Sequence, residues 1–261
     1  MRYFITLSYD GTRFHGWQVQ PNGISVQGEL QRALSLLLRQ NIQVTGAGRT
    51  DTGVHARMMV AHFDWDIDSS QFAVHSSLCT KDCELLLLDC QQLAYKLNRL
   101  LPRDIAVQRV EPVAGDMHAR FSATVRTYHY FIHTEKSPFL RHYSCELHYP
   151  LDFRLMNQAG AMLLTYDDFG AFCKSHADVK TTLCHVTAAA WHQTSPSEWY
   201  FEISANRFLR NMVRAVVGTL IEVGRGRLSL DDFRRVVEGR RRTDAGESMP
   251  ANALFLVKIE Y

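Results

Sequence analysis

An α+β fold is predicted for this 261-residue chain by three observations. Period-two apolar segments stand near both ends and in the middle, segments of helical period lie between them, and the regular strand-helix-strand alternation of a doubly wound parallel sheet is missing. The length suits one large domain or two modest ones with a substantial core. The elements sort into two α/β halves, residues 1–112 and 113–261, that share one cleft, with no low-complexity linker and no sequence repeat between them.

From Arg2 to Tyr9 the residues Tyr3, Ile5, Leu7 and Tyr9 alternate with Phe4, Thr6 and Ser8, which suits a strand, and Asp10-Gly11 closes it with a turn. Ser25 is placed to cap a helix in which Val26, Leu30, Ala33, Leu34, Leu37 and Leu38 recur at helical spacing, leaving Glu29, Arg32 and Arg39 to solvent. Met58 to Phe63 and Ile105 to Val110 read as strands, and Leu85 to Leu101 as a helix that stops before Pro102. Thr124 to His133 is a strand with Arg126, Tyr128, Tyr130 and Ile132 on one face; aromatics on both faces make it central. His185 to His192 and Glu198 to Ser204 pair through the turn residues Thr194 to Ser197. A helix is expected from about Phe208 to Val223, ended by Gly224, then a Ser229/Asp232 capping box opening a helix through Val237, then a closing strand from Ala253 to Tyr261.

Composition excludes several classes. A formal charge of +2 does not announce nucleic-acid binding, so any such site must come from local clustering, which occurs at Arg207, Arg210, Arg214, Arg225 and Arg227 and at Arg240 to Arg242. The six cysteines are too dispersed for a disulfide framework and read as reduced thiols; Cys173, His176, Cys184 and His185 fit no zinc spacing. The chain opens directly on a strand, leaving no room for a signal peptide, and no apolar run approaches a membrane span. A cytoplasmic protein without membrane contact is expected. Asp64-Trp65-Asp66-Ile67-Asp68 starts like a calcium loop but has Ser69 where glycine is required and His75 where the last glutamate should be. No dinucleotide fingerprint or phosphate-loop lysine occurs, so no cofactor is expected.

The most informative stretch is Gly46-Ala47-Gly48-Arg49-Thr50-Asp51-Thr52-Gly53-Val54-His55-Ala56. Three glycines allow backbone angles and close approaches that let polar groups meet a bulky ligand. Arg49 and Asp51 point to one side if the stretch is extended, and a neighbouring guanidinium favours the ionised carboxylate, the form able to act as nucleophile or base. A tight turn pinned by a local Arg-Asp pair is the alternative. Arg207, Arg210 and Arg214 fall at i, i+3 and i+7 of the expected helix, an arginine stripe without balancing glutamates. Guanidinium is the better partner for phosphate or carboxylate, which suggests phosphate contact by Arg207 and Arg210, with Arg214 reserved for Asp51.

Four separated motifs then carry a resemblance over nearly the whole chain. Asp10-Gly11-Thr12-x-Phe14-x-Gly16-Trp17-Gln18, the Gly46 to Asp51 stretch, His118-Ala119-Arg120-Phe121-Ser122-Ala123 leading to Tyr128-x-Tyr130, and Met212-Val213-Arg214 follow in the order of the tRNA pseudouridine synthase A family. The resemblance implies a cofactor-free, metal-free, homodimeric isomerase that makes pseudouridine at positions 38 to 40 of the tRNA anticodon stem-loop. It implies two related halves forming a mixed, largely antiparallel sheet flanked by helices, the pseudouridine synthase fold with its cleft between the halves. Asp51 matches the nucleophile, Tyr128 the tyrosine that packs on the target base, Arg214 the arginine paired with the aspartate, and Arg49 the arginine of the catalytic loop. Tyr130 is expected in the core. Thr52 stands where alanine is usual, residues from about Ser69 to Cys90 look inserted, and Cys184 replaces an expected arginine. Sugar attack, ring addition and proton abstraction all stay open to Asp51. The rival readings are a catalytically inactive tRNA-binding protein of the same fold and, more weakly, a metal-dependent phosphate-ester hydrolase.

Overall fold

The computed structural model describes residues 1–66, 89–174 and 179–261. Part of the expected helix from Leu85, the inserted stretch up to residue 88, the later positions of the rejected calcium loop and His176 lie outside those residues. Among the described residues, fourteen main elements follow in chain order: β1 (Arg2–Tyr9), α1 (Val26–Leu38), β2 (Val44–Gly46), β3 (His55–Asp64), α2 (Cys90–Leu100), β4 (Ile105–Val113), β5 (Val125–His133), β6 (Cys145–Glu146), α3 (Phe153–Met162), β7 (Val186–Ser195), β8 (Glu198–Ala205), α4 (Met212–Gly224), α5 (Leu230–Gly239) and β9 (Leu254–Glu260).

Each helix start has a local cause. The Ser25 side chain accepts from Gly28 N at the start of α1, Asp89 from Gln92 N at α2, and Asp152 from Leu155 N at α3. The Ser229/Asp232 capping box at α5 is present in both directions. Helix α3 was not anticipated, although Asp152 supplied its cap and Met156 and Ala159 are buried. Helix α4 starts at Met212, not near Phe208, because Asn211 takes a left-handed φ of 67° immediately before it. The arginines at 207 and 210 therefore sit in the preceding loop, and the expected helical stripe does not form.

The strands build one sheet in the order β4-β1-β3-β9-β5-β8-β7, with β2 added on β3 and β6 on β5. Pairing is antiparallel except between β3 and β9 and between β5 and β6. The class is α+β with a mixed, largely antiparallel sheet, as expected. Strand β5 is central, hydrogen-bonded to β8 on one side and β9 on the other. The β7–β8 hairpin turns more tightly than expected, since β7 continues to Ser195.

Two hydrophobic cores form. One gathers β5, β7 and β8 residues such as Tyr130, Ile132, Phe201 and Ile203 with Met156, Val213 and Phe233 from α3, α4 and α5. The other gathers Ile5, Leu7, Met59 and Phe63 with Leu30, Leu34, Leu93 and Leu97 from α1 and α2, and takes Leu256 and Ile259 from β9. Tyr128 packs against both. No helix among the described residues is long and apolar enough to cross a membrane.

His62 on β3, 6% exposed, accepts the Ala119 N–H on Nδ1 at 3.1 Å. Burial, with the Arg2 charge and His118 acting in the same direction, pushes its pKa down to about 4. An unfolded chain with an ordinary histidine near 6.5 then binds more protons between those limits. Its contribution to stability is complete above about pH 6.5 and is lost as pH falls through about 4. We expect the urea midpoint to drop between pH 7 and pH 4.5 by the equivalent of a few kcal/mol, and the drop to shrink in His62→Gln, whose amide oxygen can still accept from Ala119.

Candidate active site

The segment from Asp10 to Trp17 forms the bed on which the Gly46–Gly53 stretch lies. Trp17 N donates to Thr50 O at 3.3 Å, Gly53 N donates to Phe14 O at 3.4 Å, and the Tyr9 hydroxyl meets Thr50 Oγ1 at 2.9 Å. Gly16 has a φ of +83°, and a Cβ there would collide with the Thr50 carbonyl oxygen. Gly53 also has a positive φ, +79°. Gly48 differs from the expectation for this loop: it faces open space and its φ is not positive.

The far end of the loop is fixed by His55, which is 1% exposed. Its Nδ1 accepts the Gly11 N–H at 3.0 Å and its Nε2 lies 3.0 Å from Asn252 O, so the proton sits on Nε2. Burial pushes its pKa down, against the pull of the Asp10 carboxylate. From the other core, Arg214 Nε donates to Met249 O at 2.5 Å and the Tyr130 hydroxyl to Pro250 O at 3.0 Å. Tyr130 is fully buried, in the core as expected.

Asp51 is held between two guanidinium groups, with Arg210 Nε 3.7 Å from Oδ1 and Arg214 Nη1 3.8 Å from Oδ2. Both partners come from the chain more than 150 residues away. Arg49 makes no ion pair with Asp51, and its side chain is exposed. A cleft of about 590 Å³ is lined by Asp51, Thr52, Lys174, Arg210, Asn211, Arg214, Arg242 and Ser248. Asp51 is its one acid, facing four cations. Lys174, Asn211, Arg242 and Ser248 were not singled out from the sequence, although Arg242 belongs to the basic run noted there. Arg242 is locked by donating to Ala245 O, Gly246 O and Ser248 Oγ, and Asn211 Nδ2 donates to the same Ser248 oxygen.

Arg207 lies outside this lining and donates to Thr181 O and Leu183 O at 3.4 and 3.3 Å. Tyr128 stands beneath Phe208, ring centroids 5.1 Å apart and edge to face. Burial pushes its hydroxyl up to about 12 against the opposing pull of Arg126, and the Asp51 charge adds to the rise; the phenol is neutral at physiological pH. Cys184 is 2% exposed in the core, its thiol raised to about 11 by burial, so that position presents nothing to a ligand. No group of three or more His, Cys, Asp or Glu side chains able to hold a metal ion occurs among the described residues.

One carboxylate faced by two arginines, in a basic cleft between two cores, is an arrangement suited to an enzyme that works on a polyanion. The chain belongs to the tRNA pseudouridine synthase family, a family of isomerases: a family model of that description matches residues 5–122 and 161–261. It is 54% identical over 260 residues to tRNA pseudouridine synthase A of Bacteroides fragilis, covering 100% of this chain and 96% of that protein. It is 38% identical over 258 residues to tRNA pseudouridine synthase A of Chlorobaculum tepidum (98% and 96% covered) and 36% identical over 265 residues to that of Bacillus subtilis (100% and 99% covered).

The two kinds of glycine in the loop and its bed predict opposite outcomes. Gly16→Ala must strain φ and push on the Thr50 carbonyl, costing about 1–3 kcal/mol in chemical denaturation. Gly48→Ala should stay within about 0.5 kcal/mol of the wild type.

Proposed function

We propose that this chain isomerises uridine to pseudouridine at positions 38, 39 and 40 of the tRNA anticodon stem-loop, with Asp51 as the nucleophile. The observation that carries this reading is the lone carboxylate, 30% exposed, set among Lys174, Arg210, Arg214 and Arg242. In the reaction the bond from uracil N1 to the sugar C1′ breaks, the base turns, and C5 bonds to C1′. N1 gains a proton and C5 loses one, so redox state and composition are unchanged and no cofactor is required.

The remaining roles follow from placement. A stacked base must be extruded, at roughly a few kcal/mol, before its sugar bond is reachable. Arg49, exposed and without an ion pair, is free to enter the gap. Tyr128, neutral and lying against both cores, stacks on the extruded uracil, worth about 1–3 kcal/mol. Arg214, aimed by Met249 O, orients Asp51 and stabilises charge as it shifts during the reaction. Arg210 is near enough to Asp51 to do likewise while its exposed end meets phosphate, and Arg207 supplies phosphate contact from the adjoining loop. Residues 1–112 contribute the Asp51 loop and residues 113–261 the cations opposite it.

We also propose a cytoplasmic homodimer, in which one subunit holds the body of the tRNA while the other acts on the stem-loop. In support, the sheet face opposite Tyr130 and Ile132 carries half-buried rings, with His129 stacked on Tyr200 and the Arg57 guanidinium 5.1 Å from the Phe131 ring.

Pseudouridine mapping of an unmodified tRNA transcript in chelator tests the reading. Wild type should place pseudouridine in the anticodon arm and Asp51→Ala none. If neither does so while both bind the transcript, the chain is a non-catalytic tRNA binder. Arg214→Ala should lower kcat by roughly 100-fold or more while affinity for tRNA changes little. Weaker binding with turnover preserved would instead make Arg214 an RNA-contact residue.

A further inference from the structure

The loop from His118 to Ala123 is tied down at almost every residue. His118 N donates to Ser122 Oγ at 2.9 Å, Ala119 N to His62 Nδ1 at 3.1 Å, and Ser122 N to His118 O at 2.9 Å. His118 Nδ1 accepts from both Arg120 N and Phe121 N, at 3.1 and 3.2 Å. The Tyr261 hydroxyl donates to Ala119 O at 2.9 Å. Arg126 gathers three more carbonyls, Ala123 O and Asn206 O through Nη1 and Arg120 O through Nη2.

Out of this fixed loop one large apolar side chain, Phe121, stands 77% exposed. Folding gains nothing from that exposure. The His118 ring backs it, centroids 4.4 Å apart, and the Arg120 guanidinium lies 5.7 Å from its centroid. The loop also belongs to the active site by construction. Arg126 Nη2 donates at once to Arg120 O at 2.5 Å and to Ala47 O at 3.1 Å, so the loop carrying Phe121 and the loop carrying Arg49 and Asp51 meet on one nitrogen. A rigid, solvent-facing aromatic with a cation beside it, next to a site that receives RNA, is the arrangement that holds an unpaired base.

We propose that Phe121 is a second stacking platform, taking an unpaired nucleobase of the same RNA next to the target uridine, with Arg120 on the neighbouring phosphate. This rests on the reading of the chain as acting at the anticodon arm, where positions 38 to 40 adjoin the single-stranded loop. Tyr128 would hold the base being rearranged and Phe121 a base that stays chemically untouched, so Phe121 contributes to affinity and choice of RNA.

The test compares Phe121→Ala, Phe121→Leu and Phe121→Tyr with wild type on an unmodified tRNA transcript, reading both equilibrium binding and steady-state kinetics. Loss of stacking should raise Kd and KM roughly 10-fold or more in the Ala and Leu variants, leave kcat within about two-fold, and leave Phe121→Tyr close to wild type. The proposal is overturned if Phe121→Ala binds as wild type does, if Leu serves as well as Phe, or if kcat alone falls. Because binding is read without turnover, the platform is judged even if wild type makes no pseudouridine, which would instead remove the isomerase reading.

Discussion

Two residue pairs, His55 with Phe255 and Ala56 with Leu256, make the parallel contact between β3 and β9, and the geometry of the site depends on it. This contact joins the strands of one core to those of the other within a single sheet. It comes immediately after the Asp51 loop, so Val54 is packed in one core and Ala56 in the other. The loop is thereby pinned where the cores meet. Across the seam, the short stretch from Met249 to Asn252 offers its carbonyls to Arg214, Tyr130 and His55. The same few residues therefore position the Asp51 loop and the arginine that faces it.

The charges in the cleft contribute little to holding the fold together. Both ion pairs of Asp51 are longer than hydrogen bonds, at 3.7 and 3.8 Å, and Arg210 is largely solvated. Pairs of that kind add about 0–1 kcal/mol each. Arg214 and Arg242 also hold backbone carbonyls, yet four cations facing one carboxylate leave an excess of positive charge. Such an excess suits a polyanionic ligand, and a chain of net charge +2 can concentrate it in one cleft. Arg126 shows the contrasting case. Its guanidinium is spent on backbone carbonyls and holds three segments together, so an arginine two residues from Tyr128 is structural while Arg210 and Arg214 face the cleft.

Much of the fold was legible because its signals are local. The alternation of β1, the Ser25 cap of α1 and the Ser229/Asp232 box of α5 are each contained within a few residues, and the glycine-rich motif pointed to Asp51, which lines the cleft. What failed to show was of two kinds. Apolar spacing alone ran α4 back to Phe208, since periodicity carries no trace of the left-handed Asn211 that resets the chain. Spacing likewise set Arg49 beside Asp51, whereas the carboxylate faces Arg214, as expected, and Arg210, which was expected on phosphate. Lys174 enters the cleft for a similar reason: its N–H donates to Arg210 O, a tertiary contact with no sequence signature.

The loop itself is firm in some places and free in others, and the distribution fits the roles proposed for Asp51 and Arg49. Ala47 N donates to Val60 O, Ala47 O accepts from Arg126, Thr50 is held through both its carbonyl and its hydroxyl, and Asp51 O accepts from Val54 N. Support lapses between these anchors, at Gly48 and Arg49. A Cβ on Gly48 would meet nothing within 4 Å, and the Arg49 side chain is exposed. A nucleophile gains from a fixed direction, because every misplacement must be corrected before reaction. A side chain that must enter the space vacated by an extruded base gains from freedom to move. With the roles proposed above, an anchored Asp51 two residues from an Arg49 without an ion pair meets both demands within one turn of chain, and local pairing of the two would work against each.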